Sequence, residues 1–301
     1  ARREDIITLA NTLWTTPELG FREVNTANEV ARHFEQLGLT PRRELGITGM
    51  RVDLVSGRTG PTLALLAELD AVCLPEHPAA DPQTGAAHAC GHHAQLAALV
   101  GCAAALVDSG LQHDLDAHLA LIVTPAEEYI DLEYRRKLQE QKRITYLSGK
   151  RELLHLGVFD DIDLALMVHL AAGATAMIPE SMNGFLLNTA TFHGKAAHAG
   201  LAPHLGINAL NAASLATMAL HVQRETFRDE DAVRLHQVIT HGGDSLNIVP
   251  ERVTMECKVR ARTVAALRDS QEKILRSLAA GALAVGGKLT VETTPGYLPL
   301  K

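Results

Sequence analysis

The chain has 301 residues, of which 47% are hydrophobic and 21% are charged, and its formal net charge is −7. This length and composition allow a sizeable hydrophobic core and favour two domains. The acidic balance and the lack of basic clusters argue against nucleic acid or a membrane as a partner, and no apolar run reaches the length of a transmembrane helix. The four cysteines are scattered without the spacing of a disulfide framework. Together with the lack of a recognisable signal peptide, this predicts a reducing, cytoplasmic location.

The first half of the chain alternates between helical and strand patterns. Apolar spacing and apolar runs predict helices over 4–14, 22–37 and 94–107 and strands over 50–56, 62–69, 117–124 and 162–168. The densely charged stretch 131–142 is typical of a helical face in contact with solvent. Strands that alternate with helices predict an α/β fold, in which a mostly parallel sheet is covered by helices.

Residues capable of chemistry fall at the ends of these predicted strands and at the start of one helix. They are Asp70, the pair Cys90 and His92, the pair Glu127 and Glu128, and His169. Each has a plain structural alternative: a turn aspartate, a small core cysteine, a solvated pair of glutamates, a hydrogen-bonded histidine. The carboxyl ends of parallel strands meet at one sheet edge, so the joint occurrence favours a metal site there.

The pair Cys90 and His92 favours a particular kind of metal. The two residues lie two positions apart at the entrance of the helix predicted over 94–107, where we expect the helix dipole to lower the thiol pKa. A thiolate and an imidazole this close together suit zinc or a similar divalent ion.

The second half of the chain has a different order of elements. The pattern predicts strands over 186–192, 232–240, 252–262 and 288–293 and helices over 207–224 and 264–283. Strand, helix, strand, strand, helix, strand is a ferredoxin-like order, with two helices on one face of an antiparallel sheet. A separate α+β domain is therefore expected from about residue 184.

Short motifs in both halves make the chain similar to a known enzyme family. They are PELGFRE at 17–23, AELDA at 67–71, HACGH at 88–92, PAEE at 125–128, HGKAAHAG at 193–200 with Pro203, and NIVPE at 247–251. In order and spacing they resemble the aminoacylase/carboxypeptidase-type dinuclear metallopeptidases. The specific likeness is to the amidohydrolase branch, which includes hydrolases of hippurate, indole-acetyl-amino acids and aminobenzoyl-glutamate.

The resemblance implies a division of the chain into domains. Residues 1–185 would form a catalytic, metal-binding α/β domain, into which a ferredoxin-like lid or dimerisation domain, 186–294, is inserted. Residues 295–301 would begin the return to the catalytic domain, which the family completes with a further strand, helices and a last histidine ligand.

The resemblance also implies roles for residues of the first domain. Two divalent ions, with zinc expected and manganese or cobalt as alternatives, would be bound by Cys90, His92, Glu128 and His169. Asp70 would orient the site from behind the ligands. The adjacent Glu127 would act as the general base.

Three residues of the lid domain receive roles in the same way. His198 would reach the active site of a partner subunit in a homodimer and stabilise the oxyanion. Asn247 and Arg260 would hold the carboxylate side of the substrate, a task that suits the planar fork of arginine.

The function implied is hydrolysis of the amide bond of N-acyl or N-aroyl amino acids or small dipeptides through a metal-bridging water. The alternative is a catalytically silent homologue that acts as a dimeric binding protein. The chain departs from the family at two places. His93 stands where aspartate or asparagine is usual, which leaves the substrate subgroup open, and the segment 129–157, with the charged stretch 131–142, is longer than usual. A nicotinamide-binding protein is disfavoured because no Gly-x-Gly-x-x-Gly follows the first strand.

Overall fold

The computed structural model describes residues 2–56, 58–171, 173 and 176–300. The chain divides into two compact units, 1–174 and 175–301. The helices of the first unit are α1 (Arg3–Thr15), α2 (Val24–Gln36), α3 (His92–Ser109), α4 (Leu132–Glu140) and α5 (Gly149–His155). Its strands are β1 (Arg42–Leu45), β2 (Gly49–Leu54), β3 (Thr62–Glu68), β4 (Val72–Cys73), β5 (Ala86–Ala87), β6 (His118–Thr124) and β7 (Leu164–Met167).

Five of these strands form one mixed sheet in the order β1-β2-β6-β3-β7. β3 runs parallel to both β6 and β7, whereas β2 is antiparallel to β6 and to β1. The predicted α/β class is confirmed, and its parallel part consists of the three strands after which the chemically capable residues follow.

Both faces of this sheet are covered, because the residues of its central strands alternate between two cores. Leu119, Leu121 and Val123 of β6 join the larger core with α1, α2 and α3. Ala120 and Ile122 face the other way and pack in a smaller core with a leucine of α5. This alternation is the period of two that a strand imposes on its side chains.

The charged stretch 131–142 is more than the solvent-exposed face that we predicted. It forms α4, but Arg135 within it is only 1% exposed. Its guanidinium donates hydrogen bonds to the carbonyl oxygens of Ala126, Leu147 and Glu128. One charged residue of this helix therefore points inward, where it holds the backbone of a neighbouring loop.

The second unit contains the elements β8 (Gly184–His193), α6 (Ala209–Val222), β9 (Arg234–His241), β10 (Arg252–Ala261), α7 (Val264–Ala284) and β11 (Lys288–Pro295). Its antiparallel sheet has the order β11-β8-β10-β9. With α6 and α7 packed on one face, this is the predicted ferredoxin-like arrangement. The domain limits at 185/186 and 294/295 remain predictions.

Among the residues that the structure describes, no helix is both long enough and apolar enough to cross a lipid bilayer.

Candidate metal centre

The carboxyl ends of the three parallel strands lie at one edge of the sheet. Asp70 follows β3, Glu127 and Glu128 follow β6, and His169 follows β7. Gln95 of α3 joins two of these ends, since it accepts a hydrogen bond from the backbone N–H of Glu68 at 2.8 Å and donates one to the carbonyl oxygen of Val168 at 2.8 Å. The fold therefore brings the strand-end residues together, as parallel pairing predicts.

The start of α3 brings the thiol and the imidazole to the same edge. Gly91, between them, caps the helix with φ of 97°, a left-handed conformation that favours glycine. A Cβ built at this position would also overlap the side chain of Leu170. The turn that directs Cys90 and His92 into the site thus depends on a residue without a side chain.

Three of the four predicted metal ligands have their ligating atoms close together. Cys90 Sγ lies 3.3 Å from His169 Nε2, and the ligating atoms of Cys90, His92 and His169 all lie within 4.8 Å of one another. The fourth predicted ligand, Glu128, is outside that group of three, but its carboxylate interacts with the Cys90 thiol.

Hydrogen bonds orient both histidines. His92 Nδ1 lies 2.7 Å from the carbonyl oxygen of Asp70, and His169 Nδ1 lies 2.7 Å from the carbonyl oxygen of Leu170. A carbonyl oxygen only accepts, so each Nδ1 donates and each Nε2 carries the lone pair of the neutral ring. In both residues Nε2 is thus the nitrogen suited to ligation.

Asp70 organises the site from beneath. Its side chain is fully buried, and its two carboxylate oxygens accept hydrogen bonds from the backbone N–H groups of Glu127 at 3.0 Å and Glu128 at 2.9 Å. Asp70 Oδ1 also lies 3.5 Å from His92 Nδ1. These contacts are what a residue that supports the site from behind the ligands would make.

The turn before the two glutamates is held by buried charges that the motifs assigned no role. Ala126 adopts φ of 46°, a conformation uncommon for a residue with a Cβ. Its N–H donates to Glu23 Oε1 at 2.8 Å, and its carbonyl oxygen accepts from Arg135. Burial, and then the charge of Asp70, raise the pKa of Glu23 to about 7. Glu23 lies in the motif at 17–23, so the signal was present, but its partner is distant in sequence.

Glu68 is a further residue of the site that sequence reasoning missed. It belongs to the motif at 67–71 and is 1% exposed. Its ligating oxygen and those of His92 and Glu127 all lie within 4.8 Å of one another. Despite burial, which opposes ionisation, His92 and the Lys150 ammonium lower the pKa of Glu68 to about 2. Its position as the last residue of β3, at the same edge as Asp70, is the signal that could have identified it.

The expected effect of the helix dipole on Cys90 is wrong for the metal-free site. Burial raises the pKa of the Cys90 thiol to about 12, with the Glu128 carboxylate and the charges of Glu127 and Glu68 adding to the effect. For His92, burial opposes the charged form, but Asp70 and Glu68 outweigh it and raise the pKa to about 10. Without metal, the site therefore holds protons on both groups at neutral pH.

The donor set fits divalent metal ions. Glu68 Oε2 and His92 Nε2 are buried 3.1 Å apart, where the protonated ring pairs with the carboxylate, and a metal ion that displaces this proton would satisfy both atoms. A thiol, two imidazoles and several carboxylates form the mixture of soft, borderline and hard ligands that zinc and its neighbours accept.

In the second unit, His198 and Asn247 lie in adjoining loops. The two loops pair through backbone hydrogen bonds, among them Ala199 N–H to the carbonyl oxygen of Asn247 at 2.9 Å. Arg260 is exposed near the far end of β10, about eight residues along the strand from Arg252. At about 3.4 Å per residue this is some 27 Å, so within this unit Arg260 is not brought together with the other two. The roles of all three remain predictions.

The His198 ring has a defined donor. Its Nδ1 accepts hydrogen bonds from the backbone N–H groups of Gly200 and Leu201, each at 3.1 Å. The neutral ring must then carry its proton on Nε2. The exposed side of this imidazole is therefore a hydrogen-bond donor.

Comparison with known proteins identifies related peptidases and hydrolases. Residues 182–284 match the family model described as a peptidase dimerisation domain. The chain is 30% identical over 302 residues to mouse Xaa-Arg dipeptidase, covering 95% of this chain and 62% of that protein. It is 32% identical over 231 residues to one of the p-aminobenzoyl-glutamate hydrolase subunits of Escherichia coli K12, covering 72% of this chain and 48% of that protein.

A solved structure shows the same fold. It is that of the Bacillus subtilis YxeP protein, described as a dinuclear metal-binding peptidase from the M20 family. The TM-score is 0.69 at 21% identity, and the match covers 99% of this chain and 75% of that one. Of the two curated relatives, mouse Xaa-Arg dipeptidase and the E. coli hydrolase subunit, this chain spans less than two thirds of the length.

Proposed function

This chain belongs to the M20 family of peptidases, and we propose on that basis that it is a metal-dependent amidohydrolase. Its substrates would be N-acyl or N-aroyl amino acids or small dipeptides, in line with the relatives named as a dipeptidase and an aminobenzoyl-glutamate hydrolase. The observation that supports this most is the cluster of Cys90, His92 and His169 beside the two glutamates at one sheet edge.

We propose that Cys90, His92, Glu128 and His169 hold two divalent ions. Zinc is the first choice because a thiolate is among the ligands, with manganese or cobalt as alternatives. Bound there, the ions would polarise the substrate carbonyl and lower the pKa of a bound water.

The protein's own residues would move the proton. Glu127 would take it from the attacking water at a carboxylate oxygen and pass it to the leaving amine. Asp70, which accepts from the N–H groups of both glutamates, would keep the base and the ligand in fixed positions. Asn247 and Arg260 would bind the carboxylate side of the substrate.

Hydrolysis of a panel of N-acyl amino acids and dipeptides tests the activity. The protein is assayed as isolated, after chelation, and after reconstitution with zinc, manganese or cobalt, with metal content measured on each sample. Activity that disappears with the metal and returns with it is expected. If the protein binds metal but hydrolyses no member of the panel, the alternative of a catalytically silent homologue is favoured. Such a homologue should bind a panel member without hydrolysing it.

We further propose a homodimer formed through the second unit, in which His198 acts on the substrate of the partner. The match of residues 182–284 to a peptidase dimerisation domain supports pairing. The donor that His198 presents at Nε2 supports contact with a developing oxyanion, and loss of such a donor typically costs about 2.7–4 kcal/mol in the barrier.

Mixing two inactive variants tests this role. In a mixed dimer of His198→Ala and Glu127→Gln, one active site would carry both defects and the other would carry neither. Activity should return when the two variants exchange protomers, toward half of the wild-type value in each mixed dimer. No return of activity, although mixed dimers are shown to form by mass spectrometry, would refute action across the dimer.

A cytoplasmic location is proposed from the four free thiols, which are typical of a reducing compartment. Fractionation of source cells with an antibody against the chain checks it, and recovery in an oxidising compartment would contradict it.

A further inference from the structure

We propose that Glu68 is a direct ligand of the metal ion that His92 binds, in addition to the four ligands that the family resemblance implies. This inference rests on the proposed metal-dependent function. It concerns a residue to which the motifs assign no role, although it closes β3 at the same sheet edge.

The main observation is a pair of buried ligand atoms that face each other. Glu68 Oε2 and His92 Nε2 lie 3.1 Å apart, and each side chain is 1% exposed. The two form a buried ion pair when the His92 ring is protonated, and a metal ion would take the place of that proton. Two ligand atoms at about 2.0–2.1 Å from one ion lie about 2.9–3.4 Å apart for angles between 90° and tetrahedral. The observed spacing therefore also fits two ligands of one ion.

Neighbouring contacts hold Glu68 in this orientation. Lys150 Nζ pairs with the other carboxylate oxygen, Oε1, and Gln95 accepts from the backbone N–H of Glu68 at 2.8 Å. His92 is fixed from its opposite side, because its Nδ1 donates to the carbonyl oxygen of Asp70. Glu68 Oε2 and His92 Nε2 are thus directed toward one point. The Lys150 ammonium pairs with the Oε1 side of the carboxylate and offsets the part of its negative charge that the ion would leave.

Glu127 lies beside this part of the site. Its carboxylate is the third member of the group whose potential ligand atoms lie within 4.8 Å of one another. The Glu68 carboxylate and the His92 imidazole suit Zn²⁺ or Mn²⁺. An ion held by Glu68 and His92 would lie next to the Glu127 carboxylate, where the base of the proposed reaction is needed.

The test measures metal binding and does not depend on activity. Zn²⁺ is titrated into the chelated protein against a competing chelator. Glu68→Gln should weaken one bound ion by about 100-fold or more, beyond the range of about 10–100-fold typical for loss of a residue that only orients a ligand. Glu68→His, which keeps a ligating atom but removes the charge, should recover at least ~10-fold of the loss.

Two further variants serve as controls. Lys150→Gln removes the partner of Oε1 and leaves Oε2 in place, so its loss of affinity should stay within the range of about 10–100-fold of an orienting residue and below the loss in Glu68→Gln. Glu68→Gln combined with Lys150→Met avoids a lysine left without its carboxylate and should still lose the ion, with circular dichroism showing that the protein is folded.

The outcomes separate the two proposals. Wild-type affinity in Glu68→Gln would overturn the ligand role of Glu68 alone. So would an equal loss in Lys150→Gln, or no recovery in Glu68→His, because Glu68 would then act only through its charge. A wild-type protein that binds no Zn²⁺ would overturn the metal-dependent function itself, and the ligand role with it.

Discussion

Metal binding should release protons from Cys90 and His92, and the structure determines how many. With pKa values raised to about 12 and about 10 in the metal-free site, both groups are protonated at pH 8. A thiolate and a neutral imidazole are the forms that ligate, so both protons must leave. Each released proton makes the affinity rise about tenfold per pH unit, or about 1.4 kcal/mol. Two protons together give about 100-fold per unit, and affinity increases with pH.

Calorimetry of Zn²⁺ binding in two buffers of different ionisation enthalpy counts these protons directly. At pH 8 we expect at least two protons released per protein, because a metal-bound water adds to those from Cys90 and His92, and about one fewer in Cys90→Ala. Glu23, whose pKa is raised to about 7, is already largely ionised at this pH, and Glu23→Gln serves as the control for it. A count near zero, or the same count in Cys90→Ala as in the wild type, would refute the reasoning.

Three further predictions concern the metal-free protein. Because the pKa of Glu23 is raised by burial and by Asp70, its contribution to stability is present below about pH 4.5 and is lost as the pH rises through 7. In urea unfolding, the free energy of unfolding of the wild type should fall by an amount on the order of 3 kcal/mol between about pH 4.5 and pH 8, and Glu23→Gln should lack this part of the decrease. The same pH dependence in both proteins would contradict this. In chelated protein at pH 8, mass spectrometry should find Cys90 alkylated at least ~30-fold more slowly than the exposed Cys73, since so little thiolate is present; equal rates would show that Cys90 is not held as a thiol. Arg135→Met should lower the free energy of unfolding by about 3 kcal/mol or more, because three backbone carbonyl oxygens, two of them in buried contacts, lose a charged donor. Lys137→Met at an exposed position of the same helix should change it little.

Much of the fold could be predicted because it depends on periodic patterns. The apolar runs at 62–69 and 117–124 and the long apolar helices of the second unit are local signals, and the structure places elements there with bounds that differ by a few residues. The antiparallel pairing of β2 with β6 and of β1 with β2 could not be predicted from such patterns. β1, four exposed or half-buried residues from Arg42 to Leu45, has no apolar run, and its pairing with β2 depends on tertiary contacts.

The candidate site was predictable where a residue follows a strand, as Asp70 and His169 do. It was not predictable where the effect comes from residues distant in sequence. Arg135 looks like surface charge in its own helix, and only the position of three carbonyl oxygens makes it a buried anchor. For Cys90, the helix dipole was a local argument. Burial, together with the carboxylates of Glu128, Glu127 and Glu68 brought in from other strands, raises the thiol pKa instead.

The central claim is that the Glu127 carboxylate moves the proton in amide hydrolysis. Glu127 is not required for metal binding, which depends on other residues of the site. Measuring metal content and kcat together in Glu127→Gln, with Glu128→Gln beside it, tests this most directly. We expect Glu127→Gln to keep its metal while kcat falls by at least ~100-fold, and Glu128→Gln to lose metal first. A kcat near that of the wild type in Glu127→Gln, or a loss of metal in parallel with its activity, would contradict the account.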